Sequence, residues 1–110
     1  MLSFIDAYTL WRSLPLPRSG PLEESALLRS DLALADEYVT TVIRFVEHGV
    51  FKPAVPDALA LLDEILERAE RLGEGADAEI RETARCQHAY AALLRLVYSE
   101  FLKAGAAQQG

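Results

Sequence analysis

Residues 76–104 read ADAEIRETARCQHAYAALLRLVYSEFLKA and carry the pattern that decides the fold. Mostly apolar side chains recur along this stretch at alternating spacings of four and three residues, which is the period of one face of an α-helix. The members of this face are Ile80, Ala84, Gln87, Ala91, Leu94, Tyr98 and Phe101. The stretch therefore predicts a long amphipathic helix that ends near Ala104.

Proline and glycine residues divide the rest of the chain into three further segments with helical periodicity, over about residues 2–14, 21–48 and 56–72. No segment alternates apolar and polar residues for long enough to form a sheet. Because short links between helices favour antiparallel neighbours, the sequence predicts an all-α fold: a small antiparallel helical bundle of four helices, one short and N-terminal and three longer. We expect one domain over residues 1–105 and a flexible tail over residues 106–110.

The composition is that of an acidic, folded chain. It has 110 residues, of which 51% are hydrophobic, and 17 acidic residues against 11 basic ones give a net charge of −6. This charge argues against nucleic acid as the main ligand, because phosphate binding needs clustered Lys and Arg. The single cysteine, Cys86, excludes an intrachain disulfide. Since the sequence shows neither a signal peptide nor an apolar run of bilayer length, we expect a cytoplasmic protein that does not bind membranes.

The first helix is apolar over more than half of its circumference, which is too wide for a helix with one buried side. Three explanations are open: burial in a groove of the bundle, contact with a second copy of the chain, or presentation of Tyr8 and Trp11 to a foreign partner. The apolar residues are Phe4, Ile5, Ala7, Tyr8, Leu10, Trp11 and Leu14.

The fourth helix has a second apolar strip of mostly small residues, which would let another helix approach closely. The strip consists of Ala78, Ala89, Ala92 and Leu96, and beside it lies a basic edge of Arg81, Arg85, His88, Arg95 and Lys103. The edge is expected to pair with acids of a neighbouring helix or of a second copy, or else to contact an anion or RNA. The leading hypothesis is a non-enzymatic, homodimeric protein-binding module, an adaptor, regulator or small inhibitor. Its expected contact residues are Tyr8, Trp11, Ala89, Ala92 and Leu96.

Asp31 projects into the apolar arc of the second helix, where an unpaired carboxylate would be costly. It is expected to lie at a wet, open end of the bundle or to accept hydrogen bonds from a partner such as Tyr98, Arg12 or Arg18. The alternative is a buried acid with a raised pKa in a pocket. In that case a small molecule would bind in the bundle interior near Asp31 and Tyr98.

Few residues have the spacing that catalysis or metal binding requires, and we expect no metal and no cofactor. One candidate catalytic pair is Arg81 and His88, which lie seven residues apart on one helix face, with Tyr90 two residues after His88. This arrangement resembles the Arg-(four to six residues)-His pattern of the helical HEPN ribonucleases, some of which carry His-x-Tyr. The resemblance implies that His88 acts as acid or base on an RNA 2′-hydroxyl while Arg81 steadies the phosphate. The chain departs from the pattern at Glu82, whose carboxylate would lie beside that phosphate.

Overall fold

The structure is a computed structural model that describes residues 3–18, 23–47, 56–75 and 77–109. Within these ranges it contains four helices: α1 (Phe4–Ser13), α2 (Glu23–Glu47), α3 (Pro56–Leu72) and α4 (Ala78–Gln109). The same ranges contain no strand. The predicted all-α fold, with a short first helix and three longer ones, is therefore confirmed.

Local hydrogen bonds set two of the helix starts. The Ser3 hydroxyl accepts a hydrogen bond from the Asp6 backbone N–H at 3.2 Å and donates one to the Asp6 carboxylate at 2.9 Å. This capping arrangement satisfies an amide that has no partner within α1. At the start of α4, the Asp77 carboxylate accepts from the backbone N–H groups of Glu79 at 2.9 Å and Ile80 at 3.2 Å.

The ends of α1 and α3 agree with the sequence pattern to within about two residues, whereas α4 continues to Gln109 and not merely to about Ala104. A glycine inside a helix costs about 1 kcal/mol relative to alanine, so Gly105 alone does not terminate it. The flexibility expected for residues 106–110 stays a prediction. The expected start of α2 at residue 21 and its expected end at residue 48 lie outside the described residues.

α4 is the central helix, since it packs against each of the other three. The ring of Phe4 lies 5.9 Å from that of Phe101, and Trp11 lies beside Tyr90, so α1 runs antiparallel to α4. The core contains Ala7 and Trp11 of α1, Leu28, Leu32, Ala35, Val39, Val42 and Ile43 of α2, Ala58, Leu62, Ile65 and Ala69 of α3, and Ala84, Tyr90, Ala91, Leu94, Val97 and Tyr98 of α4. None of the described helices has both the length and the apolar character that a bilayer crossing requires.

Candidate functional site

One side of α4 faces away from the bundle. We call this side the outward face of α4; it consists of Glu82, Arg85, Ala89, Ala92, Leu96, Glu100 and Lys103. Its centre is apolar, with Ala89 and Ala92 exposed and Leu96 half-buried. The charged residues lie at its two ends. The outward face thus has an apolar centre and charged ends.

The charges at the two ends are satisfied differently. Near the C-terminal end, Lys103 Nζ lies 3.2 Å from Glu100 Oε1. Near the other end, Glu82 and Arg85 are both exposed, and neither makes an ion pair or hydrogen bond with any residue that the structure describes. The outward face therefore offers one acid and one base that have no partner within the described part of the chain.

A groove adjoins the outward face. It encloses a cavity of about 890 Å³ between α1, residues 14–18 and the first half of α4, and we call it the α1–α4 groove. Ala89 and Glu82 line it and also belong to the outward face, so the two surfaces are continuous. Its other side chains include Leu10, Leu14, Leu16, Leu93, the exposed thiol of Cys86, and at the polar end Arg18 and Glu79.

Gln87 holds the outer wall of the groove in place. Its side chain is buried on α4, and Nε2 donates to the backbone carbonyls of Arg18 and Ser25, each at 3.1 Å. These bonds attach Arg18 and the first turn of α2 to α4. Gln87 occupies a position of the apolar face predicted from the sequence, and its amide explains why a polar residue stands there.

A buried polar cluster holds α1 against the bundle. Trp11 Nε1 donates to Asp36 Oδ2 at 2.7 Å and to Tyr90 Oη at 3.1 Å, and the Tyr90 hydroxyl donates to the same Asp36 oxygen. Burial raises the pKa of Tyr90, and the hydrogen bond and negative charge of Asp36 raise it further. The hydroxyl therefore remains a donor, and the Trp11–Asp36–Tyr90 cluster connects α1, α2 and α4.

Sequence reasoning missed Asp36 as part of this cluster. Trp11 could have indicated such a cluster, because a buried indole N–H needs an acceptor. Asp36 was a suitable acceptor, since it lies beside the buried positions Ala35 and Val39 on α2. The structure also corrects the role expected for Trp11. Its side chain is 2% exposed, so the bundle itself buries it, and Trp11 does not offer a surface to a partner.

The other expected contact residues divide into two groups. Ala89, Ala92 and Leu96 lie together on the outward face of α4. Tyr8 is half-buried on α1, where its ring contacts those of Phe4 at 5.7 Å and Trp11 at 5.6 Å. Tyr8 is therefore mainly a packing residue of α1, and the exposed candidates are those of α4.

Asp31 is paired with a residue that the sequence analysis did not consider. Its Oδ2 lies 2.5 Å from Arg68 Nη1 of α3, and the side chains are 38% and 26% exposed, respectively. The expected partners Tyr98, Arg12 and Arg18 are wrong, because α2 turns this position toward α3. Asp31 thus forms a half-exposed ion pair between α2 and α3 and is not a buried acid.

Tyr98 lies in the core, with no hydrogen-bond partner for its hydroxyl in the described part of the chain. Burial raises the pKa of Tyr98 to about 12. The large cavity lies along the α1–α4 groove, so a ligand site near Asp31 and Tyr98 has no support from the structure.

Arg81 and His88 are half-buried on one side of α4. Arg81 Nη1 donates to the Gly75 carbonyl at 3.0 Å, which ties the guanidinium to the turn before α4. No other described side chain makes a hydrogen bond or ion pair with His88. The structure thus adds no further catalytic group to the spacing seen in the sequence.

Elsewhere on the basic edge, Arg95 Nε pairs with Asp63 Oδ1 of α3 at 2.5 Å. At Arg95, the edge therefore pairs with an acid of a neighbouring helix, which was one of the two expectations for it.

No known protein family, curated protein or solved structure matches the chain. Among the residues that the structure describes, no three His, Cys, Asp or Glu side chains are grouped as a metal site would require. The function is therefore inferred from the surfaces of the chain itself.

Proposed function

We propose that the protein is a non-enzymatic, cytoplasmic protein-binding module, an adaptor, regulator or small inhibitor, and that it forms a homodimer. A helix of the partner packs on the outward face of α4. The observation that carries this proposal is the apolar centre formed by the exposed Ala89 and Ala92 and the half-buried Leu96, flanked by charges, on the side of α4 opposite to its buried face.

The size of the side chains fits a helix as the occupant. Helices pack with their axes about 8–10 Å apart, and the distance is shortest where the contact residues are small. Ala89 and Ala92 allow such a close approach, while Leu96 supplies a larger side chain to insert between residues of the other helix. The spacing of three and four residues places all three on one line along α4.

The expected affinity is modest. Full burial of one leucine side chain contributes about 1.5–3 kcal/mol, and a symmetric contact would bury Leu96 twice. Association costs at least about 4 kcal/mol in lost translational and rotational freedom. The apolar centre alone therefore supports weak, reversible binding, and the charges at its ends set the choice and orientation of the partner.

The test compares two exposed alanines. Ala92→Glu places a charge in the apolar centre, whereas Ala60→Glu places the same charge on the exposed side of α3. Sedimentation velocity over a wide range of concentrations measures self-association, and circular dichroism checks helix content. We expect Ala60→Glu to associate like the wild type and Ala92→Glu to remain monomeric with unchanged helix content. Equal behaviour of the two variants would contradict the proposal.

A second candidate function is small-molecule binding in the α1–α4 groove. Its cavity of about 890 Å³ falls within the range of about 300–1,000 Å³ that is typical of ligand sites. The apolar walls and the carboxylates of Glu79 and Glu82 at one end suit an apolar ligand with a cationic group. An apolar amine should then raise the unfolding temperature of the wild type but not that of Leu93→Gln. No stabilisation by apolar amines of graded length would rule this candidate out.

A further inference from the structure

We infer that the occupant of the outward face is a second copy of the chain, with its α4 antiparallel to the first and a twofold axis at the Ala92–Leu93 peptide. This inference rests on the proposed function and adds the orientation and register of the two copies. In such a dimer, a residue that precedes Ala92 by a given number of positions faces the residue that follows Leu93 by the same number.

The charges of the outward face obey this rule in two independent pairs. Arg85 precedes Ala92 by seven positions and Glu100 follows Leu93 by seven. Glu82 and Lys103 lie ten positions away on the two sides. One axis therefore brings Arg85 to Glu100 of the second copy and Glu82 to Lys103 of the second copy. Glu82 and Arg85, which have no described partner within their own chain, therefore each face a residue of opposite charge in the second copy.

The apolar centre obeys the same rule. Ala89 precedes Ala92 by three positions and Leu96 follows Leu93 by three. The larger Leu96 side chain of each copy therefore faces the small Ala89 of the other. Ala92 lies next to the axis, where the two helices approach most closely and a small residue is required.

Three other arrangements of the same two faces bring like charges together. In a parallel dimer each residue faces its own copy, so Arg85 would face Arg85. An antiparallel register in which Ala92 faces Leu96 would place Arg85 opposite Lys103. The opposite displacement, in which Ala89 faces Leu93, would place Glu82 opposite Glu100. Like charges placed opposite each other repel. Among the four arrangements compared, only the register with the axis at the Ala92–Leu93 peptide brings each charged residue of the outward face opposite a residue of the other sign.

The ion pair between Glu100 and Lys103 within each copy would join the charge pairs between the two copies. Lys103 already lies 3.2 Å from Glu100 of its own chain. In the dimer these two residues would alternate with Glu82 and Arg85 of the second copy, which forms a four-membered network at each end of the contact. A network holds its geometry better than an isolated surface pair.

Disulfide trapping tests the register in the Cys86→Ser background, which removes the native exposed thiol. In Ala92→Cys the two introduced thiols meet at the axis, and mild oxidation should yield a covalent dimer. In Ala89→Cys they are separated by seven residues, roughly 10 Å along the helix, which is too far for a disulfide. Ala60→Cys on α3 is the control for random collision. Equal cross-linking at positions 89 and 92, or none above the control at position 92, would overturn the register.

Charge reversal gives a second, independent measurement. Arg85→Glu should weaken self-association roughly fivefold or more, because the substitution acts twice in a symmetric dimer. Adding Glu100→Arg should restore it to within about twofold of the wild type, as expected for paired groups in a double-mutant cycle. A double variant that is weaker than Arg85→Glu alone would refute the pairing.

The outcomes separate this inference from the proposed function. If Ala92→Glu abolishes association but Ala92→Cys fails to cross-link, the register is wrong and the outward face remains a binding surface. If the wild type is monomeric at all concentrations, this inference and the homodimer of the proposed function are both wrong, and a different protein is left as the occupant of the outward face. If, in addition, Ala92→Glu binds every protein that Ala60→Glu binds, the protein-binding function is also wrong.

Discussion

The inward and outward sides of α4 carry similar spacings of side chains but differ in how their polar groups are satisfied. On the inward side, Tyr90 reaches a carboxylate of α2 and an indole of α1, and Gln87 reaches two backbone carbonyls. On the outward side, Arg85 and Glu82 reach no described group of the chain. The inward side packs against the other three helices, although the Tyr98 hydroxyl and Gln87 Oε1 have no described partner there. The outward side leaves two exposed charged side chains without a partner in the described part of the chain.

The largest expected effect on stability is at the inward side. Trp11→Ala should lower the free energy of unfolding by about 3–5 kcal/mol, because it empties a buried site and removes a donor to Asp36. The neighbouring Leu10→Ala should lower it much less, since Leu10 is 44% exposed. Urea denaturation of both variants measures the difference. Equal losses would show that Trp11 does not anchor α1.

Removal of the shared acceptor should have the next largest effect. Asp36→Ala leaves the Trp11 N–H and the Tyr90 hydroxyl without their carboxylate, and we expect a loss of about 1–3 kcal/mol. Glu37→Ala is the control, because Glu37 is the exposed residue beside Asp36 on α2. Urea denaturation of the two variants should separate them. A loss no larger than that of the control would mean that the polar cluster does not stabilise the fold.

The stability of the fold at alkaline pH should depend on the raised pKa of the buried Tyr98. Because burial raises the pKa of Tyr98 from 10.0 to about 12, the unfolded chain releases this proton before the folded chain does. The contribution to stability is present below pH 10 and is lost as the pH rises toward 12. Tyr98→Phe should flatten this decline at little cost near neutral pH, since the hydroxyl has no described partner. Unfolding measured between pH 8 and 11.5 checks it, and an unchanged slope would contradict it.

The smallest effect on folding is expected on the outward face. Ala92→Glu should change the free energy of unfolding of the monomer by no more than about 0.5 kcal/mol, because Ala92 is exposed. Measurement at a protein concentration low enough to prevent association isolates this effect. A loss comparable to that of Asp36→Ala would show that the outward face supports the fold, which would weaken its assignment as a binding surface.

Much of the fold was predictable because it depends on local pattern. The predicted face of α4 is buried at Ala84, Ala91, Leu94 and Tyr98, and the cap of α1 comes from Ser3, its immediate neighbour in the sequence. The exposed part of the candidate site was predictable for the same reason, since residues three and four apart share a helix face. The burial of Trp11 and the partner of Asp31 were not predictable, because each depends on which helix lies opposite.

The sequence by itself therefore determined the helices, their buried faces and the exposed line of Ala89, Ala92 and Leu96, because all of these follow from the helical period. Only the tertiary structure decided the polar connections and the α1–α4 groove. Trp11 meets Asp36 across 25 residues and Tyr90 across 79, and such contacts depend on the placement of whole helices. The helical period indicates which side of a helix is buried, but only the packed bundle determines which residues of the other helices that side contacts.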